Sequence, residues 1–465
     1  MNTQKIAQLD RFDKRSPHNM LSWARAAGWL AAAVVFFGLL ATGSGAAEPP
    51  ELRAWTTTNL DSLVALYQDL HRSPELSFQE EQTAARLAKE LENAGATVTQ
   101  NVGGQGVVGV LENGAGPVLM LRTDLDGLPV AERTGLPYAS QVRVRDERGA
   151  TVGVMHACGH DLHMANLVGV ARYLAAHRDQ WAGTVVFIGQ PAEERGAGAE
   201  AMLADGLLAR FPRPDFAVAI HDAADMPAGQ VGFHAGYAQA NVDSVDITIK
   251  GRGGHGAYPE TTIDPIVIAA RLVLDLQTIV SREVKPTEPA VVTVGSIDGG
   301  TKHNIIPDEC RLQLTVRSYS PEVRKQLQDA IRRKALAAAA SAGAPEPVVK
   351  VSEGTPALYN DPQLTARVVG ALRRELGEAN VKDVEPSMGG EDFSRYGKAG
   401  VPICMFKVGA VNQERLDRYQ ARHEPPPSLH SPLFYPDAAE TLSVSVPAMT
   451  AVALELLAPG PKAAP

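Results

Sequence analysis

The sequence predicts an α/β protein organised on a mixed sheet, with a ferredoxin-like α+β unit inserted into it. Three observations carry this expectation. Apolar strand-like runs alternate with amphipathic helical stretches over residues 51–236 and again over 354–465, the pattern of a layered α/β structure. Between residues 237 and 353 the order changes to strand, helix, strand, strand, helix, strand, which can close a small core of its own. At 465 residues the chain is too long for one ordinary core, and 45% hydrophobic and 21% charged residues with 42 glycines suit a globular protein with many tight turns.

Taken in order, Lys5, Arg11, Lys14, Arg15 and Arg25 precede an uncharged stretch, residues 26–47, with an apolar centre and a small-residue ending, Ser44-Gly45-Ala46-Ala47. Residues 1–47 are therefore expected to be a signal peptide cut near Ala46 or Ala47, giving an exported, periplasmic protein; the alternative is an uncleaved inner-membrane anchor. Either way the bulk of the chain is expected outside the cytoplasm. Leu60, Leu63, Leu66 and Leu70 recur at helical spacing, and a second amphipathic helix is expected over residues 79–94, ended by Gly95. Strands are expected at 106–111 and 118–121, the second leading to Asp126, which reads either as a turn cap or as a residue facing a site. A helix over 164–177 follows, then a strand over 183–189 that runs into Glu193 and Glu194, and a strand over 216–220 that ends on His221. Asp126, the glutamate pair and His221 thus fall at one edge of a sheet, where ligands of open α/β sheets converge.

In the inserted unit, strands are expected over 242–250, 290–297, 311–316 and 348–352, with helices over 265–282 and 321–342. Afterwards come a helix over 363–375, a strand over 401–408, a proline-rich loop carrying His430, and a last helix over 438–457. The net charge of -9 and the absence of a basic stripe interleaved with aromatics argue against nucleic acid as a partner.

The chemistry centres on His156-Ala157-Cys158-Gly159-His160-Asp161-Leu162-His163. A thiol and an imidazole two residues apart suit zinc and neighbouring first-row metals, although a buried thiol beside a capped loop histidine fits an isolated Cys-x-His equally well. The metal reading rests on the wider constellation with Glu193, Glu194, His221 and His430. Three cysteines at wide spacing do not form a disulfide framework. Cys310 falls on the apolar face of an alternating run and reads as core, whereas Cys158 sits among polar neighbours.

With His-Ala-Cys-Gly-His-Asp, Gln-Pro-Ala-Glu-Glu, Gly-Gly-His-Gly-Ala-Tyr-Pro, Asn-Ile-Ile-Pro and Gly-Gly-Glu-Asp-Phe in this order, the chain resembles the M20 metallopeptidase family. It is most similar to the amidohydrolase branch of hippurate hydrolases, N-acyl-amino-acid amidohydrolases and auxin-conjugate hydrolases. The resemblance implies a metallohydrolase catalytic domain with an inserted lid or dimerisation domain. It further implies two divalent metal ions held by Cys158, His160, Glu194, His221 and His430, with Cys158 bridging and Glu193 as general base. Zinc, manganese, cobalt and nickel all suit the mixed ligand set. Where the wider family has His-x-Asp, this chain has Asp124 and Asp126, and Asp126 becomes a candidate for supporting the ligands from behind. Where the branch commonly has Gly-Ser-Glu-Asp-Phe, this chain has Gly390 in place of the serine, a difference that bears on substrate preference.

An amide resists water at neutral pH; a metal polarises its carbonyl and lowers the pKa of a bound water to roughly 7, and a neighbouring carboxylate accepts the proton. His255, in the loop Gly251-Arg252-Gly253-Gly254-His255-Gly256, can reach a developing oxyanion or simply be a solvated loop histidine. The resemblance suggests that His255 acts across a homodimer interface, and that Asn304 and Arg317 hold the carboxylate of an amino-acid substrate; a surface arginine is the plain alternative for Arg317. The expected activity is hydrolysis of an N-acyl amino acid or small peptide, with a carboxypeptidase, a carbamoyl-amino-acid hydrolase or a non-catalytic binding protein on the same scaffold as rivals.

Overall fold

Val118–Asp124, Gly183–Gln190, Phe216–Pro227 and Ile403–Val411 each carry an apolar run and are buried along most of their length, as strands covered on both faces must be. In the computed structural model, which describes residues 51–146 and 149–458, they form the parallel centre of an eight-stranded mixed sheet. Its order is Thr97–Val102, Gly106–Asn113, Gly183–Gln190, Val118–Asp124, Phe216–Pro227, Ile403–Val411, Val231–Phe233, Val381–Asp383. The period-2 alternation of side chains divides these strands between two cores. Leu119, Leu121, Val185, Phe187, Val218, Ile220, Cys404 and Phe406 pack under the helices Glu51–Arg72, Glu81–Asn93, His160–Ala176, Pro362–Leu376 and Ala438–Leu456. Met120, Val186, Ile188, Ala217, Ala219, Ile403 and Met405 face the other way, against Met202, Phe393 and Tyr396.

The expected signal peptide or anchor, residues 1–47, lies outside the described residues, among which no helix is long and apolar enough to cross a membrane. Three differences from the sequence reading matter. The strand expected to end on His221 continues to Pro227, because its parallel neighbour supplies partners as far as Val411↔Pro227. The helix expected from residue 164 begins at His160, and the one expected to reach 282 stops as an α-helix at Thr278 and closes in a π turn, Ile279–Glu283.

In the inserted stretch Asn241–Lys250 alternates buried and exposed side chains and pairs antiparallel with Glu309–Ser318 on one side and Val348–Glu353 on the other; Ala290–Asp298 completes a four-stranded sheet. The helices Pro265–Thr278 and Pro321–Ser341, capped by Asp264 and Ser320 just before their N-terminal prolines, cover it. Val245, Ile247, Leu272, Leu312, Leu314, Leu327 and Cys310 make a core separate from that of the main sheet. The chain passes into this unit through Gly236–Gln239 and out through Leu358–Asn360, and those two short strands pair with each other.

Candidate metal centre

Gly159 sets the local geometry. Its φ of +76° is open to glycine at little strain, and a Cβ there would lie 2.2 Å from Oδ2 of Asp222. The turn it permits places Cys158 just before the helix His160–Ala176 and makes His160 the first helical residue. Nδ1 of His160 donates to the carbonyl oxygen of Asp126 at 2.8 Å, leaving Nε2 as the lone-pair nitrogen. That Nε2 is buried and has no hydrogen-bond partner, and the same holds for Oε1 of Glu194, 4.0 Å away. His221 is held in the same way: Nδ1 donates to the carbonyl oxygen of Asp222 at 2.9 Å, and Nε2 lies 3.6 Å from Sγ of Cys158. His430 arrives from its loop with a φ of +68°, its N–H donating to Ala157 at 2.8 Å, and its Nε2 is 3.3 Å from Sγ of Cys158 and 3.4 Å from Oε1 of Glu194.

These separations test whether a metal fits. Ligand atoms about 2.0–2.3 Å from one tetrahedral ion stand about 3.3–3.8 Å from each other. Cys158, His160 and His221 bring ligand atoms within 4.8 Å of one another, as do Cys158, Glu194 and His430, so the thiol belongs to both groups. Unsatisfied buried acceptors facing a sulfur and imidazoles are a donor set awaiting a cation rather than a hydrogen-bond network.

Asp126 stands behind this set. It is buried and accepts the backbone N–H of Glu193 and of Glu194, both at 3.1 Å, and the hydroxyl of Ser77 at 2.6 Å. Burial by itself would raise its pKa, but His160, Ser77 and the N–H groups hold it below the ordinary carboxylate range. Glu193 goes in the opposite direction: burial, reinforced by the Glu391 and Asp392 carboxylates, raises it well above that range.

The sequence reading missed the group that gathers those acids. Arg122, fully buried, donates to Asp124 at 2.7 Å, Gln190 at 3.1 Å, Glu391 at 2.9 Å and Asp392 at 3.1 Å, tying the Gly-Gly-Glu-Asp-Phe loop to two strand ends. An ionic residue inside an apolar strand run was the available signal. His163 was passed over too: Nδ1 donates to Asp124 at 2.8 Å while Nε2 accepts the N–H of Asp222 at 3.0 Å, so both nitrogens are taken and it braces the site without being free to ligate.

A cavity of about 840 Å³ opens from Cys158, Glu193, Glu194, His221 and His430 to the inserted sheet, where Arg317 and Ser244 line it. Arg317 donates to the carbonyl oxygen of Met388 at 2.9 Å. His255 and Asn304 are not brought there within one chain: both are exposed, and Nδ1 of His255 accepts the N–H of Ala257 at 3.0 Å.

A thiol, imidazoles and paired carboxylates converging at the edge of a parallel sheet define the class, a metal-dependent amide hydrolase. The chain belongs to the peptidase family M20/M25/M40, which it matches over residues 120–425. The N-acetyl-L-cysteine deacetylase of Bacillus subtilis (strain 168) is 39% identical over 338 residues, 72% of this chain and 77% of that protein. Thermostable carboxypeptidase 1 of Saccharolobus solfataricus is 34% identical over 359 residues, 76% of this chain and 87% of that protein. The crystal structure of the Bacillus subtilis YXEP protein, described as a dinuclear metal binding peptidase from the M20 family, is similar with a TM-score of 0.71 at 32% identity, covering 86% of this chain and 99% of its own.

Proposed function

We propose that the protein hydrolyses the amide bond of N-acyl amino acids, using two divalent metal ions held by Cys158, His160, Glu194, His221 and His430 with Cys158 shared between them. The observation that carries this reading is the joint cavity: Glu193 borders the ligand cluster at one end, and Arg317 supplies a guanidinium at the other. These ligands would hold a divalent cation, which would supply polarisation of the amide carbonyl and acidification of the attacking water. Glu193, bordering the ligand cluster in the cavity wall, accepts the proton and delivers it to the leaving nitrogen. Arg317 orients the substrate carboxylate, and Asp126 fixes both glutamates by their N–H groups. The deacetylase among the relatives supports an acyl substrate, and the carboxypeptidase keeps a small peptide as the second reading.

His255 and Asn304 then serve a neighbouring subunit's site. In support, Val267, Leu274, Ile297 and Ile305 are exposed apolar side chains on the inserted unit, suited to cover by a second copy. Export with cleavage near Ala46 or Ala47 remains part of the proposal, with a membrane anchor as its alternative. A panel of N-acetyl, N-benzoyl and N-carbamoyl amino acids and dipeptides, assayed with protein supplied with zinc, manganese, cobalt or nickel, tests the activity. Turnover of acyl amino acids well above the other classes is expected; exclusive cleavage of dipeptides or carbamoyl compounds sinks the acyl-amino-acid assignment.

A further inference from the structure

Lys407 is an ionic residue in an otherwise apolar strand, and the register shows where it points. In Ile403–Val411 the side chains of Cys404, Phe406 and Val408 pack under the helices, while Ile403 and Met405 face the opposite core, so Lys407 shares their side. It pairs with His221 in the parallel neighbour, whose Ala217 and Ala219 face that same side, and with Gly232 in the antiparallel one. Lys407 therefore stands beside a proposed metal ligand, lines the same cavity, and has no side chain crowding it from Gly232.

Among the described residues this half-buried ammonium has no hydrogen bond and no ion pair. Among the described residues Arg317, the cation from the inserted sheet, likewise lacks a carboxylate partner and donates to Met388 and Thr315. The buried or half-buried carboxylates bordering the cavity, Glu193, Glu194 and Asp222, cluster around Cys158 and His221, and Asp225 is exposed. Of the three cations bordering the cavity Arg195 is exposed, and one α-carboxylate answers either Arg317 or Lys407 and leaves the other partly desolvated and without a counter-charge, which is costly. The remaining walls are mixed, with Gln239, Ser244, Thr355 and Ser387 polar and Val242, Pro425, Pro426 and Leu429 apolar, and among the described residues no Phe, Tyr or Trp lines the cavity.

Resting on the hydrolase reading above, we propose that Lys407 forms a second anion subsite and that the preferred substrates are dianionic acyl amino acids. The second carboxylate sits either on the amino-acid side chain, as in N-acetylglutamate, or on the acyl chain, as in an N-succinyl amino acid. A charge-assisted contact of this kind favours the charged substrate about 10- to 100-fold.

The test compares two near-isosteric pairs, N-acetylglutamate with N-acetylglutamine and N-succinylleucine with N-succinamoylleucine, on metal-loaded protein. The charged member of one pair is expected to lead in kcat/KM by about tenfold or more, chiefly through KM, and the pair that shows it locates the second carboxylate. Lys407→Met is expected to collapse that ratio, Lys407→Arg to keep it, and Lys407→Glu to invert it. Equal rates within both pairs, or a ratio that survives Lys407→Met, overturn the subsite. Should none of the four compounds be cleaved, the acyl-amino-acid reading has failed by itself. Calorimetric binding of the same pairs to metal-loaded Glu193→Ala protein, with and without Lys407→Met, then decides the subsite by the same ratio.

Discussion

Glu193 and Glu194 are adjacent in sequence and part company in surroundings: Glu194 has an orphaned oxygen 3.4 Å from Nε2 of His430, whereas Glu193 backs onto the Arg122 cluster. Glu194→Ala is expected to lower metal content together with activity, and excess metal to restore part of both. Glu193→Ala is expected to keep the metal and lose turnover by roughly two to four orders of magnitude, the usual effect of removing a positioned base. Metal analysis alongside steady-state kinetics checks the contrast, and parental rates in Glu193→Ala remove it from the mechanism. At Gly159, alanine meets both a left-handed φ, at about 1–2 kcal/mol, and the Asp222 carboxylate. Gly159→Ala should therefore bind metal less fully even where circular dichroism reports native helix content. The ligand candidates were legible because their residue types and spacing encode metal chemistry locally. Arg122 and Lys407 show in the sequence only as ionic residues in apolar runs, since what each stands beside, Glu391 and Asp392 in one case and His221 in the other, lies far away in the chain.

The helix His160–Ala176 begins with a ligand candidate, and its second residue, Asp161, anchors it to the helix Glu51–Arg72: Nδ1 of buried His71 lies 2.6 Å from Asp161, and Nε2 lies 3.2 Å from Glu132. Burial by itself would depress the imidazole pKa, but the Asp161 and Glu132 carboxylates outweigh it and raise it to about 9. The folded value exceeds the unfolded 6.5, so the stabilisation is fully present below about pH 6.5 and is lost as pH rises through 9. It amounts to on the order of 3 kcal/mol. Urea denaturation at pH 6.5 and 9.5 should show that loss, and His71→Gln should be less stable at the lower pH with a flatter dependence; an unchanged slope in the variant removes His71 as its source. Elements with a clean period were readable. Asn241–Lys250 alternates and Gly183–Gln190 carries the apolar run Val185-Val186-Phe187-Ile188, but Thr97–Val102, with the sequence TVTQNV, carries too little apolar signal and becomes a strand only because Gly106–Asn113 pairs with it. The stop expected at His221 failed for the same kind of reason, since Ile403–Val411 extends its partner.

At the scale of the molecule the proposed second copy makes a direct prediction. Mixing inactive His255→Ala protein with inactive Glu193→Ala protein should restore part of the activity through hybrid dimers, and continued inactivity after verified subunit exchange counts against a shared site. Export predicts a mature chain beginning near Ala47 or Glu48 in the soluble periplasmic fraction, read by mass spectrometry of the N-terminus, whereas an intact N-terminus in the membrane fraction favours the anchor. The paired strands Gly236–Gln239 and Leu358–Asn360 carry a consequence for the order of assembly. Phe216–Pro227 and Ile403–Val411, partners at the centre of the main sheet, come from opposite sides of the insertion and must find each other across it. Loop closure over so long a stretch is slow, yet an insertion already folded, with its two ends abutting, leaves the partners as if joined by a short turn. Pulse-labelled hydrogen exchange should then protect the amides of Asn241–Lys250 before those of Ile403–Val411. By the same logic, weakening the insertion's own core with Leu312→Ala should delay the completion of a sheet in which Leu312 takes no part.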